Sequence, residues 1–366
     1  MKLLVLAEKY STIDKVSQGF IHTRNCEYKK NDIELDVISF CHKEGKYNLD
    51  GIDVYSQTEF CRVNSVEDYD IVVSHAPNIK HHCQFINKNY SKIKKLIFFF
   101  HGHEVLYCNE IYPMPYDYVK KENKLKDTIR NVYDVYKIYY MSKFFKKTLS
   151  KSTYIFVSEW MYEQFRKNIK MDEALYKDKS NIIYNALGTI FFENKYDVDK
   201  KKKYDFITIR NNIDGSKYCI DLVNNLAYNN PDLKFLVIGR GEYFKHYEPA
   251  SNLKFIEKNL THKEIIEYLN TAKCALMPTR ADAQGVMMCE MATFGIPVIT
   301  SDIYVCKKVL GDLENVQFVS NDNASADLNK YLQKFEKIVF KKNDKFSYEN
   351  TIIKEIEVFK FIVKGE

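Results

Sequence analysis

The sequence contains no long apolar run. Nothing among its 366 residues approaches the roughly 18 consecutive apolar residues that a transmembrane helix needs. Its first residues, MKLLVLAEKY, are too short and too soon charged for a signal peptide. The nine cysteines are scattered and form no CxxC pair, which predicts reduced thiols in a cytoplasmic protein. The net charge of +6 is too diffuse to indicate nucleic-acid binding.

Patterns of metal ligands are also scarce. His81, His82 and Cys83 are adjacent, but adjacent residues rarely bind one ion together, so we predict no metal site. The chain does have an ordinary globular composition, with 45% hydrophobic and 28% charged residues. Its length favours two domains over one.

Short apolar runs alternate with helical patterns along the chain. Predicted strands lie at 3–7, 35–39, 71–74, 96–100, 155–157 and 182–184, then at 206–209, 235–238, 274–277 and 297–300. Helices are predicted near 217–228 and 263–269 in the second half. Uninterrupted apolar runs are typical of parallel strands that are covered on both faces. We therefore predict an α/β fold with two Rossmann-like domains, whose parallel sheets face a central cleft.

A charge run marks the boundary between the domains. After Asn185 the sequence becomes polar and reaches four lysines at 200–203, as is typical of a solvated linker. We predict an N-terminal domain at 1–188 and a C-terminal domain at 189–345. The last stretch, about 346–366, has a helical pattern.

The most informative segment is 277–302, MPTRADAQGVMMCEMATFGIPVITSD, which predicts a strand, a loop, a helix and a strand. Gly285 allows a tight turn into the helix, whose first N–H groups form an anion site suited to a diphosphate. The carboxylate of Glu290 can accept hydrogen bonds from both hydroxyls of a ribose. Gly295 and Pro297 end the helix as a left-handed cap would. Spacing alone leaves a plain βαβ unit with solvated carboxylates equally open.

This segment resembles the signature of glycosyltransferase family 4, the glycosyl transferases group 1 set with the GT-B fold. That signature has two acidic residues separated by seven others, and then a small-residue, glycine and proline run. The matching residues are Asp282, Gly285, Glu290, Met291, Ala292, Gly295, Pro297 and Val298. Two positions depart from it, since Asp282 replaces the usual glutamate and Gln284 the usual aromatic residue.

The resemblance implies a role for further residues. It gives catalytic roles to His101, Asp282 and Glu290, with a weaker match at His75 and with His103 and Glu104 as alternatives near His101. It implies contacts with the nucleotide sugar from Gly19, Arg210, Lys217, Gly239, Gly241, Gly285, Val286, Met287 and Glu290. From the residues alone, a strand-end histidine such as His101 is more readily a structural hydrogen-bond partner, and the resemblance reverses that preference.

The resemblance also implies an activity. It indicates a retaining, metal-independent glycosyltransferase of hexosyltransferase type, with a UDP- or GDP-linked sugar as donor and no separate cofactor. The acceptor would be a saccharide or a lipid-linked saccharide, as in surface polysaccharide biosynthesis. The C-terminal domain would hold the donor, and the last helix would pack back onto the acceptor-side N-terminal domain. Asp-x-Asp patterns at 68–70 and 197–199 are interpreted as incidental, since one opens a strand and the other lies in the linker.

A basic stretch offers a second surface. Residues 119–149 contain nine Lys and Arg against three Asp and Glu, a net +6, and apolar residues recur there at helical spacing. The apolar residues are Leu125, Ile129, Val132, Tyr136 and Tyr140. Such a helix can lie peripherally on the anionic inner face of the cytoplasmic membrane. It can equally pack on the first domain with a solvated basic face.

Other functions remain open at this stage. A GT-B-fold nucleotide-sugar epimerase would share the nucleotide site but need no acceptor. A non-catalytic nucleotide-sugar-binding subunit would explain why Asp282 replaces the usual glutamate. It would also explain why the first loop has the single glycine Gly19, where the family usually has a pair. A carbohydrate-binding module without nucleotide affinity is a third alternative.

Overall fold

The structure is a computed structural model that describes residues 1–13, 17–119, 124–336, 338 and 342–365, with the backbone alone for 124–127. Its strands are β1 Lys2–Ala7, β2 Glu34–Ser39, β3 Lys46–Leu49, β4 Ile52–Tyr55, β5 Ile71–His75, β6 Lys95–Phe100, β7 Ser152–Phe156, β8 Ser180–Ile182, β9 Tyr204–Asn212, β10 Phe235–Arg240, β11 Leu253–Glu257, β12 Ala272–Leu276, β13 Val298–Ser301 and β14 Val316–Val319. Its helices are α1 Gly19–Lys30, α2 Gln57–Val63, α3 Gln84–Asn89, α4 Cys108–Ile111, α5 Lys124–Thr148, α6 Glu159–Asn168, α7 Ile190–Glu193, α8 Ile220–Asn229, α9 Tyr243–His246, α10 His262–Leu269, α11 Val286–Phe294, α12 Tyr304–Leu310, α13 Leu328–Phe335 and α14 Lys354–Lys364. Among the described residues, no helix is both long enough and apolar enough to span a membrane.

The chain divides into two compact units, each with its own sheet. Unit 1 comprises Met1–Tyr107, Asn131–Ala186 and Ser347–Glu366, and unit 2 comprises Cys108–Arg130 and Leu187–Phe346. The predicted α/β class with parallel sheets is therefore confirmed. We predict that the domain at 1–188 binds the acceptor and that the domain at 189–345 binds the donor. This stays a prediction, because it concerns the ligand of each domain.

Unit 1 is built on a sheet with the order β3-β4-β2-β1-β5-β6-β7-β8. All its pairs are parallel except the β3–β4 hairpin. Its core contains fully buried side chains from neighbouring strands, such as Val5, Val37 and Ile97. The strand order reverses between β1 and β5, so loops that leave the carboxyl ends of these strands border a crevice where ligands bind in this architecture.

The helix α14 completes the core of unit 1. Its apolar residues Ile356 and Phe359 pack in the same cluster as the strands of that unit. The carboxylate of Glu355 accepts a 2.9 Å hydrogen bond from Arg24 Nε of α1, and both side chains are fully buried. The hydroxyl of Tyr28 donates to the same carboxylate. Two helices from opposite ends of the sequence are thus joined by a buried ion pair.

Unit 2 has a fully parallel sheet with the order β11-β10-β9-β12-β13-β14. Its core is lined by β9 and β10 residues such as Phe206 and Phe235, and by α8 residues such as Leu222 and Leu226. The order again reverses at the centre, between β9 and β12. The carboxyl ends of these two strands therefore define the switch point of unit 2.

Most predicted strands are found within two or three residues of their expected bounds, but some elements differ. The strand β8 lies at Ser180–Ile182 rather than 182–184. The helix α8 begins at Ile220 rather than near 217, because a short 3-10 turn at Ser216–Tyr218 and a left-handed Cys219 precede it. The hairpin β3–β4 and the strands β11 and β14 have no counterpart in the prediction.

Candidate functional site

A cavity of about 390 Å³ lies at the switch point of unit 2. It brings together residues from β9, the loop after it, the start of α10 and the segment that leads into α11. The lining residues are Arg210, Asn211, Lys217, Tyr218, His262, Asp282, Gly285, Val286, Met287, Met288 and Glu290. Seven of these were predicted as site residues from the sequence, although they span eighty positions of the chain.

The start of α11 has the geometry that the sequence predicts. Gly285 has φ 78°, a left-handed conformation that favours glycine, and a Cβ there would also displace Cε of Met288, 2.0 Å away. Gly295 ends the helix in a left-handed conformation with φ 97°, which confirms the predicted cap. The helix therefore begins and ends at a glycine, and the turn at Gly285 directs its amino end to the cavity.

Asp282 organises the loop before this helix. Its Oδ1 accepts hydrogen bonds from the backbone N–H groups of Ala283, Gln284 and Gly285, at 2.8, 3.2 and 2.8 Å. A ligand would therefore meet Oδ2 rather than Oδ1. The N–H groups of Val286 and Met287 have no acceptor within the helix and are the donors left for an anion. Gln284 is buried, with its Nε2 3.9 Å from Sγ of Cys289, and is not among the lining residues.

Two cations flank the same helix end. Arg210 is 5% exposed, and its Nη2 donates to the carbonyl oxygen of Pro278 at 2.7 Å. Within the described part of the chain, Arg210 Nε has no hydrogen-bond partner. Burial lowers the pKa of Arg210, whereas the Asp282 charge raises it. The ammonium of Lys217 lies 4.6 Å from the ring centre of Tyr218. A buried guanidinium with an unused donor is well suited to bind a phosphate oxygen.

Glu290 lines the cavity from the second turn of α11. It is 6% exposed, and burial raises the pKa of its carboxyl to about 7, although the N–H of Gly188 donates to the carboxylate and lowers it. His262 Nε2 is 4.0 Å from Glu290 Oε1, and burial lowers the pKa of this histidine. A desolvated carboxylate with acceptor capacity left over favours a partner that brings hydroxyl donors.

Gly239 and Gly241 do not line this cavity. A Cβ on Gly239 would lie 2.3 Å from the carbonyl oxygen of Arg210, and one on Gly241 would lie 2.8 Å from the carboxylate of Asp214. Both glycines therefore permit close packing against the end of β9 and the loop after it. Through that contact, Gly239 fixes the backbone that carries Arg210.

The remaining predicted residues belong to unit 1. Gly19 is the first residue of α1, and His101 follows β6. Nε2 of His101 lies 3.1 Å from Nδ1 of His75, and its ring centre is 4.5 Å from that of Phe20. Burial lowers the pKa of both histidines well below the usual range. The pair is therefore neutral, and one ring donates a hydrogen bond to the other.

Glu104 holds the backbone beside His101. Its buried carboxylate accepts hydrogen bonds from the N–H groups of His101 and Gly102, at 2.9 and 2.6 Å. Burial raises the pKa of Glu104, whereas these backbone bonds lower it. Both carboxylate oxygens are engaged, so this residue serves to position the loop after β6.

Four lining residues were missed by the sequence prediction, namely Asn211, Tyr218, His262 and Met288. His262 starts α10, where Thr261 and Glu264 form a capping box. That pattern, Thr-x-x-Glu before an apolar run, marks a helix start that follows a strand and therefore lies at the same sheet edge. It is the signal from which the position of His262 could have been found.

The geometry combines two kinds of recognition in one cavity. Arg210, Lys217 and the first turn of α11 supply positive charge and N–H donors, as a diphosphate requires. Glu290 supplies a buried acceptor for sugar hydroxyls. The same positive groups would stabilise negative charge that develops on a departing diphosphate.

Comparisons with known proteins agree with the fold. Residues 192–351 match the family model described as Glycosyl transferases group 1. A glycosyltransferase from Rickettsia africae is similar in structure, with TM-score 0.68 and 14% identity over 100% of this chain and 99% of that one. Anabaena HepE in complex with UDP and glucose has TM-score 0.66 and 12% identity over 100% and 99%. WaaG, a glycosyltransferase involved in lipopolysaccharide biosynthesis, has TM-score 0.60 and 12% identity over 90% of each chain. No curated protein sequence matches the chain.

Proposed function

We propose that this chain is a GT-B glycosyltransferase of the group 1 family, whose model matches residues 192–351. In this proposal it moves a hexosyl group from a UDP- or GDP-linked donor to a saccharide or lipid-linked saccharide. In this proposal the anomeric configuration is retained and no metal is required. The pathway is the synthesis of a surface polysaccharide or a related glycan. UDP and glucose in the HepE complex, and the lipopolysaccharide role of WaaG, support the class of donor and of acceptor.

One observation carries the proposal, namely the cavity that combines Arg210, Lys217, the α11 amino end and Glu290. The diphosphate would bind Arg210, Lys217 and the N–H groups of Val286 and Met287. The ribose hydroxyls would donate to Glu290. Because two cations and a helix end already face the diphosphate, its departure needs no divalent ion.

The donor sugar would bind near Oδ2 of Asp282 in unit 2. In unit 1, His101 is proposed as a sugar-binding residue on its own evidence. The neutral pair of His101 and His75 favours a hydrogen bond to an uncharged sugar over an ion pair. As the bond between sugar and diphosphate breaks, negative charge accumulates on the leaving group beside Arg210. In a retaining reaction the acceptor hydroxyl attacks from that same face and passes its proton to the leaving oxygen.

A panel of nucleotide sugars tests this function. Release of the nucleoside diphosphate that depends on an added saccharide acceptor is expected, also in the presence of EDTA. Interconversion of the sugar without an acceptor would instead indicate an epimerase. Tight binding without turnover would indicate a binding subunit, and binding of saccharides alone a carbohydrate-binding module. NMR of the product anomer tests retention.

The nucleotide site itself is tested by Glu290→Ala. We expect this variant to lose most of its donor binding or turnover, while Glu267→Ala on the exposed face of α10 remains as active as the wild type. Wild-type activity of Glu290→Ala would refute the site assignment. Circular dichroism of both variants controls for folding.

We further propose that α5 contacts an anionic membrane, as suits an enzyme that extends a lipid-linked acceptor. Several apolar side chains of this helix face solvent, namely Ile129, Val132, Tyr133, Val135, Tyr136 and Tyr139, with exposed fractions from 49% to 65%. Exposed Lys143, Lys146 and Lys147 follow on the same helix. Tyr140 instead packs near Phe144 and accepts a hydrogen bond from Asn87 Nδ2. Leu125 lies outside the described side chains. Exposed aromatic residues beside lysines are typical of helices that lie at a membrane surface.

Salt-sensitive binding to vesicles that contain anionic lipid tests this contact. We expect reversal of Lys143, Lys146 and Lys147 to glutamate to abolish it. Reversal of Lys200, Lys201 and Lys203 changes the net charge by the same amount at exposed positions of unit 2 and should leave it largely intact. Absence of wild-type binding to anionic vesicles, or equal loss in both variants, would contradict the proposal.

A further inference from the structure

Unit 1 contains a cluster of metal-ligand side chains that no part of the proposed reaction uses. His22, Cys26 and Asp50 place one ligand atom each within 4.8 Å of one another. His22 Nε2 lies 3.5 Å from Sγ of Cys26 and 2.9 Å from Oδ2 of Asp50. We propose that these three residues bind a divalent zinc ion.

The local structure suits such a site. His22 and Cys26 are four residues apart on α1, so both project from one face of the helix. Asp50 reaches them from the turn between β3 and β4. In a tetrahedral site with Zn–N of about 2.0 Å and Zn–S of about 2.3 Å, the nitrogen and sulfur atoms are about 3.5 Å apart. The observed separation already has this value. Cys26 Sγ also lies 4.0 Å from Nδ1 of His22, so the Cys26 side chain must turn toward the Nε2 side of the ring, and the His22–Asp50 contact must lengthen by a few tenths of an ångström.

Nδ1, the other ring nitrogen of His22, has a hydrogen-bond partner, as is usual for a histidine that binds zinc. Nδ1 of His22 lies 3.0 Å from the hydroxyl of Tyr10, and Asn25 Nδ2 donates to that hydroxyl at 3.0 Å. When Nε2 binds a metal, the ring proton resides on Nδ1, and the Tyr10 oxygen can accept it. Support of this kind behind a histidine ligand fixes its tautomer and orientation.

The donor set and charge select the ion. One imidazole, one thiolate and one carboxylate favour zinc over magnesium or calcium, which prefer oxygen ligands alone. A Cys26 thiolate and the Asp50 carboxylate together balance the charge of the ion, and binding releases the thiol proton to solvent. Lys29 and Lys30 border the same hollow, but Lys29 donates to the carbonyl of Gly51 and Lys30 pairs with Glu27. Cys26 and Asp50 line this hollow, from which water would take the fourth position.

Zinc here would join α1 to the β3–β4 turn. Its test does not depend on activity. The full chain is freed of metal by a chelator and titrated with Co²⁺, which reports thiolate ligation by a charge-transfer band and tetrahedral geometry by strong visible bands. We expect one equivalent of Co²⁺ to give both signals and Zn²⁺ to displace it.

Variants decide which residues bind. Cys26→Ser and His22→Gln should lose the charge-transfer band or weaken Co²⁺ binding at least tenfold, whereas Cys61→Ser, an exposed cysteine on α2 in the same unit, should retain it. Asp50→Asn changes a side chain that is 68% exposed, so it should fold normally and still bind Zn²⁺ at least tenfold more weakly. A wild-type protein without a thiolate band, or a band that survives in Cys26→Ser, would overturn the proposal. The same holds if the band disappears in Cys41→Ser, near Glu8 and His81, instead.

Discussion

Arg210 places a guanidinium where little water reaches it. One of its nitrogens is satisfied by Pro278, and Nε is left without a partner among the described residues. Replacement by lysine keeps a positive charge but removes the planar fork and its geometry. We therefore expect Arg210→Lys to weaken binding of the nucleoside diphosphate by roughly ten- to a hundredfold, as for the loss of a charge-assisted hydrogen bond.

Calorimetry with the nucleoside diphosphate and with the free nucleoside checks this prediction. The nucleoside lacks phosphates, so its affinity should be equal in the wild type and in Arg210→Lys. A parallel loss for both ligands would mean that Arg210 supports the cavity rather than the diphosphate.

Glu290 makes both stability and binding depend on pH. Its pKa is raised from 4.5 to about 7 by burial. The unfolded chain ionises this group at the lower value, so the folded state loses stability as pH rises from 4.5 to 7. The loss reaches about 3 kcal/mol above pH 7. Nucleotide affinity should change in the opposite direction and rise between pH 6 and pH 8, because the ribose hydroxyls need an ionised acceptor.

Glu290→Gln separates these two effects. At pH 8 the variant should have a higher melting temperature than the wild type, because it no longer carries a buried charge, yet bind the nucleoside diphosphate at least tenfold more weakly. Glu267→Gln, at an exposed position, should change neither quantity. Unchanged affinity in Glu290→Gln would argue against a ribose contact.

Much of this site was predictable because its residues follow strand ends in a repeated pattern. Arg210, Asp282 and Glu290 come from segments whose apolar strands and glycine turns are visible in the sequence. The engagement of Asp282 Oδ1 by three backbone N–H groups was not predictable, because it depends on the path of the loop. His262 was missed because its proximity to Glu290 arises from the sheet order, which brings separate loops to one edge.

At the scale of elements, the buried central strands were predicted best. The strand β6, for example, reads KLIFFF and is apolar after its first residue. Such continuous apolar runs arise because helices cover both faces of the sheet. The hairpin β3–β4 was missed because its edge strand KYNL is largely polar and partly exposed. Edge strands carry a weaker pattern, since only one side of each packs on the core.

The buried ion pair between Arg24 of α1 and Glu355 of α14 leads to a prediction about stability. Removing Glu355 leaves the charge of Arg24 buried without compensation, which typically costs about 3 to 5 kcal/mol. We therefore expect Glu355→Leu to lower the free energy of unfolding of unit 1 by that amount. The double variant Arg24→Met/Glu355→Leu should recover most of the loss, because no unpaired charge remains.

Urea denaturation followed by circular dichroism measures these differences. Glu357→Leu is the matched control, since Glu357 is exposed on the same helix. If Glu355→Leu were no less stable than Glu357→Leu, the buried ion pair would contribute nothing to the stability of unit 1.

At the scale of the whole molecule, neither unit is one continuous segment. Residues 108–130 belong to unit 2 although unit 1 residues surround them in the sequence. In unit 2, Tyr116 donates to Asp221 at 2.9 Å and Tyr118 donates to Asp214 at 2.6 Å, and both rings pack against its core. We expect Tyr116→Ala to destabilise unit 2 by about 2 to 4 kcal/mol, since a partly buried aromatic side chain is lost.

Hydrogen exchange resolved along the chain checks this expectation. In Tyr116→Ala, exchange should increase in α8 and β9 and stay unchanged in β1 and β5. Tyr139→Ala, with a tyrosine that is 56% exposed on α5, should leave α8 as protected as in the wild type. Equal increases in both units would show that Tyr116 does not act on unit 2 alone.

The buried ion pair between Arg24 and Glu355 also affects how the chain folds during synthesis. The two residues are 331 positions apart, so on a ribosome Arg24 emerges long before its partner exists. Until then the nascent first unit contains a charge that it cannot bury at low cost. Its final packing must therefore wait for the last helix, while the residues of unit 2 are already available. A chain released early would expose this uncompensated arginine and remain a target for quality control.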